Sequence, residues 1–186
     1  MSEISGIETK LLIAIVGPTL AFFLWFGKRL YDERKNKRQA EKDKQNLIRA
    51  LYAEIDFNTR DMEIFLEKSI PQEDLRKILQ DKPALIPHIT DARHTQIYQA
   101  RITEVHNIAD GALHSLVEFY ALLEKIRVQV DGVNLPSYKT LTTDGRVNAV
   151  EVIRRTAEKS RARGVELLGI FERDYEELGL ARRHRN

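Results

Sequence analysis

The chain has 186 residues, 42% hydrophobic and 31% charged, with a formal net charge of +2 and no cysteine. That mixture suits one folded domain with accessories and excludes both a wholly disordered chain and a polytopic membrane protein. The missing thiol excludes a disulfide scaffold, a cysteine nucleophile and cysteine-ligated zinc or iron–sulfur sites. The charge is unevenly spread. Residues 28–44 hold eight Lys or Arg against four Asp or Glu, whereas residues 45–186 hold 21 against 22. A nucleic-acid binder carries its basic excess on its folded domain, so nucleic acid is disfavoured as a partner.

Leu11 to Gly27, LLIAIVGPTLAFFLWFG, is free of charge and bracketed by Lys10 and Lys28. Counting flanking residues, a helix over 10–28 just spans a hydrocarbon core, with both lysines able to snorkel. Phe22, Phe23, Trp25, Phe26 and Tyr31 crowd one end, as an interfacial aromatic belt does. A cleaved signal peptide needs a basic start and small residues at the cut, and the run has neither. The run also lacks the polar face of a surface helix. A transmembrane helix over 10–28 is therefore expected, with the lipid bilayer as its partner. Lys28, Arg29, Arg34, Lys35, Lys37 and Arg38 follow the run, and only Lys10 precedes it. The positive-inside rule then puts residues 1–9 outside a bacterial inner membrane and the rest in the cytoplasm. Ala14, Gly17 and Ala21 share one face, a small-residue pattern that permits association of membrane helices.

Residues 29–46 are strongly charged and free of Pro and Gly, which predicts a helical stalk supported by pairs such as Glu33 with Lys37 and Glu41 with Lys44. From Leu47 an apolar stripe begins: Leu47, Ile48, Leu51, Tyr52, Ile55, Met62, Phe65 and Leu66, with Asn58 and Thr59 on the same line. The helix should stop near Ser69, before Pro71. Ser69 and Gln72 can form a capping box for a short helix over Pro71 to Gln80. Asp81 to Ala92 reads as a proline-broken link. A helix is expected over Arg93 to Ile108, and another after the N-cap Asp110, closing at Asp131-Gly132. Val133 to Thr143 reads as a loop. A last helix should run from Asp144 to about Leu178, with a notch of small residues at Ala157, Ser160 and Gly164. Residues 181–186 form a basic tail. The fold class is all-α: a bundle of about four helices over 47–180 behind a stalk and a membrane helix.

Glu54-Ile55-Asp56-Phe57-Asn58 contains an E-I-x-x-N element, and Phe119 to Ile126 an F-Y-x-x-L-x-x-I stretch. In both, over about half its length, the chain resembles uncharacterised bacterial single-pass, membrane-anchored helical proteins. The resemblance implies an anchored helical domain and no activity.

No chemistry stands out. Paired Glu-x-x-His elements are absent; Asp91-x-x-His94 occurs once, beside the proline-rich link, and no metal site is expected. Nucleophile-elbow, phosphate-loop and dinucleotide motifs are also absent, so neither an enzyme nor a cofactor is expected. Arg154, Arg155, Lys159, Arg161 and Arg163 concentrate five cations in ten residues. They form a candidate anion-binding face, without the aromatic residues that stack bases. The composite expectation is a non-enzymatic, membrane-anchored interaction or scaffold module that binds a protein partner or itself. Tyr52, Asn58 and the Ala157–Gly164 notch are its candidate contacts, although core packing is the simpler account of each. The alternative is a membrane-tethered sensor that takes a small anion on the basic helix face.

Overall fold

In a computed structural model, the described backbone covers residues 2–89 and 94–182, and the described side chains are those of residues 22, 24–89 and 94–182. Every helix and turn of the described residues belongs to an all-α fold; no strand occurs among them. The elements are α1 (Ser2–Lys68), α2 (Gln72–Asp81), α3 (Gln96–Ala100), α4 (Asp110–Asn134) and α5 (Thr143–Asp174). Short 3-10 turns occupy Ile102–Asn107, Pro136–Thr140 and Glu176–Leu178. The chain divides into two compact units, Met1–Gln45 and Asn46–Asn186.

In the first unit the described backbone is helical from Ser2 on, Gly17-Pro18 included. Among the described residues no helix is long and apolar enough to cross a membrane. Most of the expected span, and all of the Ala14, Gly17 and Ala21 face, lies outside the described side chains. The described part of the run is notable for what it exposes. Phe22, Leu24, Trp25, Phe26, Leu30 and Tyr31 all face solvent. Phe22 stacks on Phe26 with centroids 6.2 Å apart, and the Arg29 guanidinium lies over the Trp25 ring at 5.5 Å. In the stalk, Glu33 pairs with Arg29 at 3.2 Å rather than with Lys37, and Glu41 accepts from Gln45 rather than pairing with Lys44.

The second unit has one main core. Leu47, Ile48, Leu51, Ile55 and Met62 from α1 meet Leu116, Phe119, Leu123 and Ile126 from α4 and Ile153, Leu167, Leu168 and Phe171 from α5. The three- and four-residue spacing of these positions makes one apolar stripe per helix, and burial of three stripes against one another closes the core. The short amphipathic α2 lays Leu75 and Leu79 against Val147 of α5. It is tethered outside by Arg76, which reaches Glu73 and Asp144 at 2.9 and 3.0 Å.

Several expected boundaries move. Ser69 does not cap α2. Its hydroxyl donates back to the Phe65 carbonyl at 2.7 Å, and Pro71 precedes the helix without a side-chain cap. The helix expected over Arg93 to Ile108 is only α3 followed by a 3-10 turn, because its apolar positions are too few to bury a long face. Ala109, not Asp110, is the N-cap of α4, which puts Asp110 in the first turn where a carboxylate suits the helix dipole. Asp131-Gly132 does not stop α4, which runs to Asn134 before Leu135-Pro136 ends it. The N-cap of α5 is Thr142, whose hydroxyl accepts from the Gly145 amide at 3.1 Å, and α5 ends at Asp174 rather than at Leu178.

Candidate functional site

One set of polar groups of the second unit converges on Glu54. Glu54 is 7% exposed, inside an apolar stripe of α1. A carboxylate there must collect donors, and it collects three. The Ile97 amide donates to Oε2 at 2.6 Å, and the Tyr98 amide and Tyr120 hydroxyl donate to Oε1 at 3.0 and 2.6 Å. Ile97 and Tyr98 lie in the first turn of α3, whose N-cap Thr95 makes no side-chain cap. A helix start leaves its first amides without partners, and Glu54 supplies from α1 what local sequence does not. One turn on, fully buried Asn58 donates to the Glu54 carbonyl at 2.9 Å and to the His94 carbonyl at 2.5 Å. The Tyr98 ring stacks on Tyr120 with centroids 3.8 Å apart. Burial, and then the neighbouring Glu54 charge, push the Tyr120 phenol far above its ordinary range. The E-I-x-x-N and F-Y-x-x-L-x-x-I elements therefore meet, at Glu54 and Tyr120. What they build is a clasp that holds residues 94–98 against α1 and α4.

A second clasp holds the link before α3. Arg146 of α5 is 3% exposed and donates to the Pro83 carbonyl at 2.7 Å and to the Leu85 carbonyl. Its guanidinium lies over the Tyr138 ring at 5.0 Å. A third polar group joins the C-terminal end to α1. The Tyr52 hydroxyl donates to Glu172 at 2.5 Å, and Arg182 approaches Asp56 and Glu63 at 3.6 and 3.7 Å. Burial and the Glu172 hydrogen bond raise the Tyr52 phenol well above its ordinary range.

The expected contact elements are therefore not on the surface. Tyr52 and Asn58 are buried, and so are Ala157, Ser160 and Gly164. The notch receives α1: a Cβ placed on Gly164 would collide with Thr59 Oγ1 and stand 2.8 Å from Phe119 Cε2. Core packing accounts for all of them.

The five cations of α5 are distributed as follows. Arg154 is held by Glu151 through Nε at 3.0 Å and by Glu158 at 2.7 Å. Arg155 approaches Glu151 at 3.7 Å. Hydrogen bonding from Arg154, with the charges of Arg154 and Arg155, holds the Glu151 carboxyl below its usual range. Arg163 reaches across to Glu118 of α4 at 2.7 Å and along α5 to Glu166 at 2.8 Å. Lys159 and Arg161 are exposed, and neither is in an ion pair among the described residues. Lys159 and Arg163 line a groove of about 520 Å³ between α4 and α5, together with Lys125, Glu118 and Glu166, so both signs of charge face it. Glu158 is the one carboxylate inside the ten-residue stretch that holds these cations. Glu151 and Glu166, at three residues from Arg154 and Arg163, were legible at helical spacing; Glu118 was not.

A different groove, of about 530 Å³, runs between the end of α1, α2, residues 85–89 and α5. Phe65, Ile70, Leu75, Ile78, Ile86 and Val150 make it mostly apolar, with Lys68, His88 and Arg154 also lining it. Among the described residues no group of three or more His, Cys, Asp or Glu side chains is placed to hold a metal ion. His184 and Asp91 lie outside the described residues. Compared with known proteins, the chain matches no protein-family model, no curated protein and no solved structure.

Proposed function

We propose that the chain is a non-enzymatic, membrane-anchored interaction module, with residues 10–28 in a bacterial inner membrane, residues 1–9 outside and the helical domain in the cytoplasm. The observation that carries the reading is the exposure of Phe22, Leu24, Trp25, Phe26, Leu30 and Tyr31. At about 100° per residue these side chains point all round one helix, so no single protein face covers them. A bilayer covers every side at once, and the aromatic residues fall where an interfacial belt belongs. The basic residues that follow support the orientation. The apolar groove beside α2 supports partner binding, because its lining offers area and little specific polar recognition. Its proposed occupant is a protein segment rather than a metabolite.

A reporter fused after Asn186 tests the reading. One active only outside the cytoplasm should be silent there, and a cytoplasmic reporter should be active. The reverse pair of results overturns the orientation, and recovery of the full chain in the soluble fraction overturns the anchor.

The alternative, a tethered sensor of a small anion, is favoured by one observation: Lys159 and Arg161 are exposed, with no carboxylate of the described residues paired to them. Against it, Arg154, Arg155 and Arg163 already face carboxylates, so an anion would have to displace them.

A further inference from the structure

Helices α4 and α5 run antiparallel. Glu118 of α4 meets Arg163 of α5 at 2.7 Å, and the Ala109 amide before α4 donates to the Tyr175 hydroxyl just past α5 at 3.0 Å. The charges of the groove between them, about 520 Å³ in volume, are sorted by height. At one end stand Lys125 and Lys159, both exposed and in no ion pair among the described residues. At the other end stand Glu118 and Glu166, which share Arg163 at 2.7 and 2.8 Å, with His114 approaching Glu118 at 3.4 Å. Ala121, Leu122 and Ala162 lie between the ends. Lys125 is seven residues from Glu118, and Lys159 is seven from Glu166. Each opposite pair therefore shares one helix face, two turns and about 10 Å apart.

Such a groove is complementary to itself turned end for end. Rotate a second copy by a half-turn about an axis that lies in the plane of contact and crosses both helices. α4 then faces α4 antiparallel, and α5 faces α5 antiparallel. Centred between Ala121 and Leu122, the rotation sets Lys125 against the other copy's Glu118. Centred between Ala162 and Arg163, it sets Lys159 against the other copy's Glu166. It also sets Gly111 against Gly132, two positions with open space around a Cβ. His114 then faces Gln129 and Arg155 faces Ile170, and each Arg163 keeps its own two carboxylates. A two-fold axis along the helices would instead press Lys125 against Lys159.

We propose that the α4–α5 face is a docking surface for a second copy of this chain, turned end for end. The inference rests on the interaction-module reading above and names its partner; it uses the second unit alone and does not need the membrane anchor. A partner of one sign of charge would meet a repelling end in this groove, whereas a second copy meets none. The size also fits. A face about 37 Å long and two helices, roughly 20 Å, wide covers about 740 Å², close to the ~800 Å² each partner gives to a standard interface. The same face continues into a hollow of about 320 Å³ lined by Val133, Tyr138, Leu141 and Val152, with Leu141 and Val152 exposed. Apolar contact there adds area, and the charges set the register.

The chain has no cysteine, so a single introduced one gives a unique cross-linking site. Ala121→Cys lies beside the two-fold axis. Val128→Cys, exposed on the same helix, lies about 20 Å from its counterpart in the other copy. The full chain, purified in a mild detergent, is treated with a short bismaleimide. Ala121→Cys should give at least about fivefold more cross-linked dimer than Val128→Cys, and added salt should reduce it. Charge reversal tests the pairing in the Ala121→Cys chain. Lys125→Glu with Lys159→Glu makes both ends of the groove acidic, and Glu118→Lys with Glu166→Lys makes both basic. Either pair alone should abolish the cross-link, and an equimolar mixture of the two chains should restore it. Because Glu118 also holds Arg163, Lys159→Glu and Glu166→Lys as single variants repeat the test with α4 untouched, and circular dichroism checks that each is folded. Equal cross-linking at residues 121 and 128, unmoved by charge reversal, overturns the proposal and assigns association to the membrane helix. Loss of the cross-link without rescue in the mixture also overturns it and leaves the lysines to an acidic partner. The reporter after Asn186 and the soluble fraction test the anchored module separately, whichever way the cross-linking falls.

Discussion

The Tyr120 hydroxyl and the Glu54 carboxylate, 66 residues apart in the chain, share a 2.6 Å hydrogen bond inside the bundle. Tyr120→Phe keeps the ring and its stacking on Tyr98 but removes one of the three donors to a buried charge. A hydrogen bond to a charged group contributes about 1.5–3 kcal/mol. The variant should lose about that much stability in urea denaturation of a chain lacking residues 1–44. Glu54→Ala should lose more, because it also strands the Ile97 and Tyr98 amides. Additive losses in the double variant would deny the coupling.

Gly164→Ala should destabilise the same chain by about 1–3 kcal/mol, an overpacking cost at a helix contact with no room for a Cβ. Thr59→Ala should restore part of the loss by removing Oγ1, which in the parent is buried without a hydrogen-bond partner. A Gly164→Ala variant with unchanged melting would mean that α1 and α5 do not approach here.

Arg146→Met keeps most of the side-chain length and removes both donors to residues 83 and 85. Carbonyls freed at an exposed link are solvated cheaply, so the global cost should be modest while the link loosens. Limited proteolysis should then cut within residues 82–89 at least about tenfold faster than in the parent. Equal rates would show that α2 alone holds the link.

Asp61 supplies the pH dependence. Its carboxyl is pushed up from the ordinary value by burial, offset in part by His94, and its Oδ2 has no hydrogen-bond partner. The folded state therefore holds this proton more tightly than the unfolded state does. Its contribution is fully present below the unfolded value of 3.8 and is lost as pH rises through the higher folded value. Asp61→Asn should abolish that loss and raise the melting midpoint at neutral pH. A variant that melts lower than the parent at pH 7 would show that the charge is solvated.

Much of this architecture was readable from spacing. The stripe Val147, Ile153, Ala157, Ser160, Gly164, Leu167, Leu168 and Phe171 is buried along α5 because period alone assigns a helix face. Boundaries failed where capping came from afar. Ser69 reads as an ordinary local cap but caps no helix, and the amides of Ile97 and Tyr98, expected inside a helix beginning at Arg93, turn to a residue more than forty positions away. Asn58 and the notch take the simpler of the two readings open to each, burial in the core. A polar residue on an apolar stripe signals either a surface contact or a buried bond, and only the position of the His94 carbonyl decides between them. Spacing along α5 does not show Glu118 beside Arg163, because Glu118 arrives from another helix.

The clasp also sets an order of events. Five residues of helix cannot sustain themselves in water. Two amides at the start of α3 have their acceptor only once residues 97 and 98 have met Glu54 of α1, so α3 is a product of assembly rather than a seed of it. In the folded chain the same dependence runs backwards. Residues 94–98 cannot peel away alone without stranding a buried carboxylate, so the Ile97 and Tyr98 amides should exchange their hydrogens as slowly as the centre of α4, far more slowly than so short a helix near the surface otherwise would.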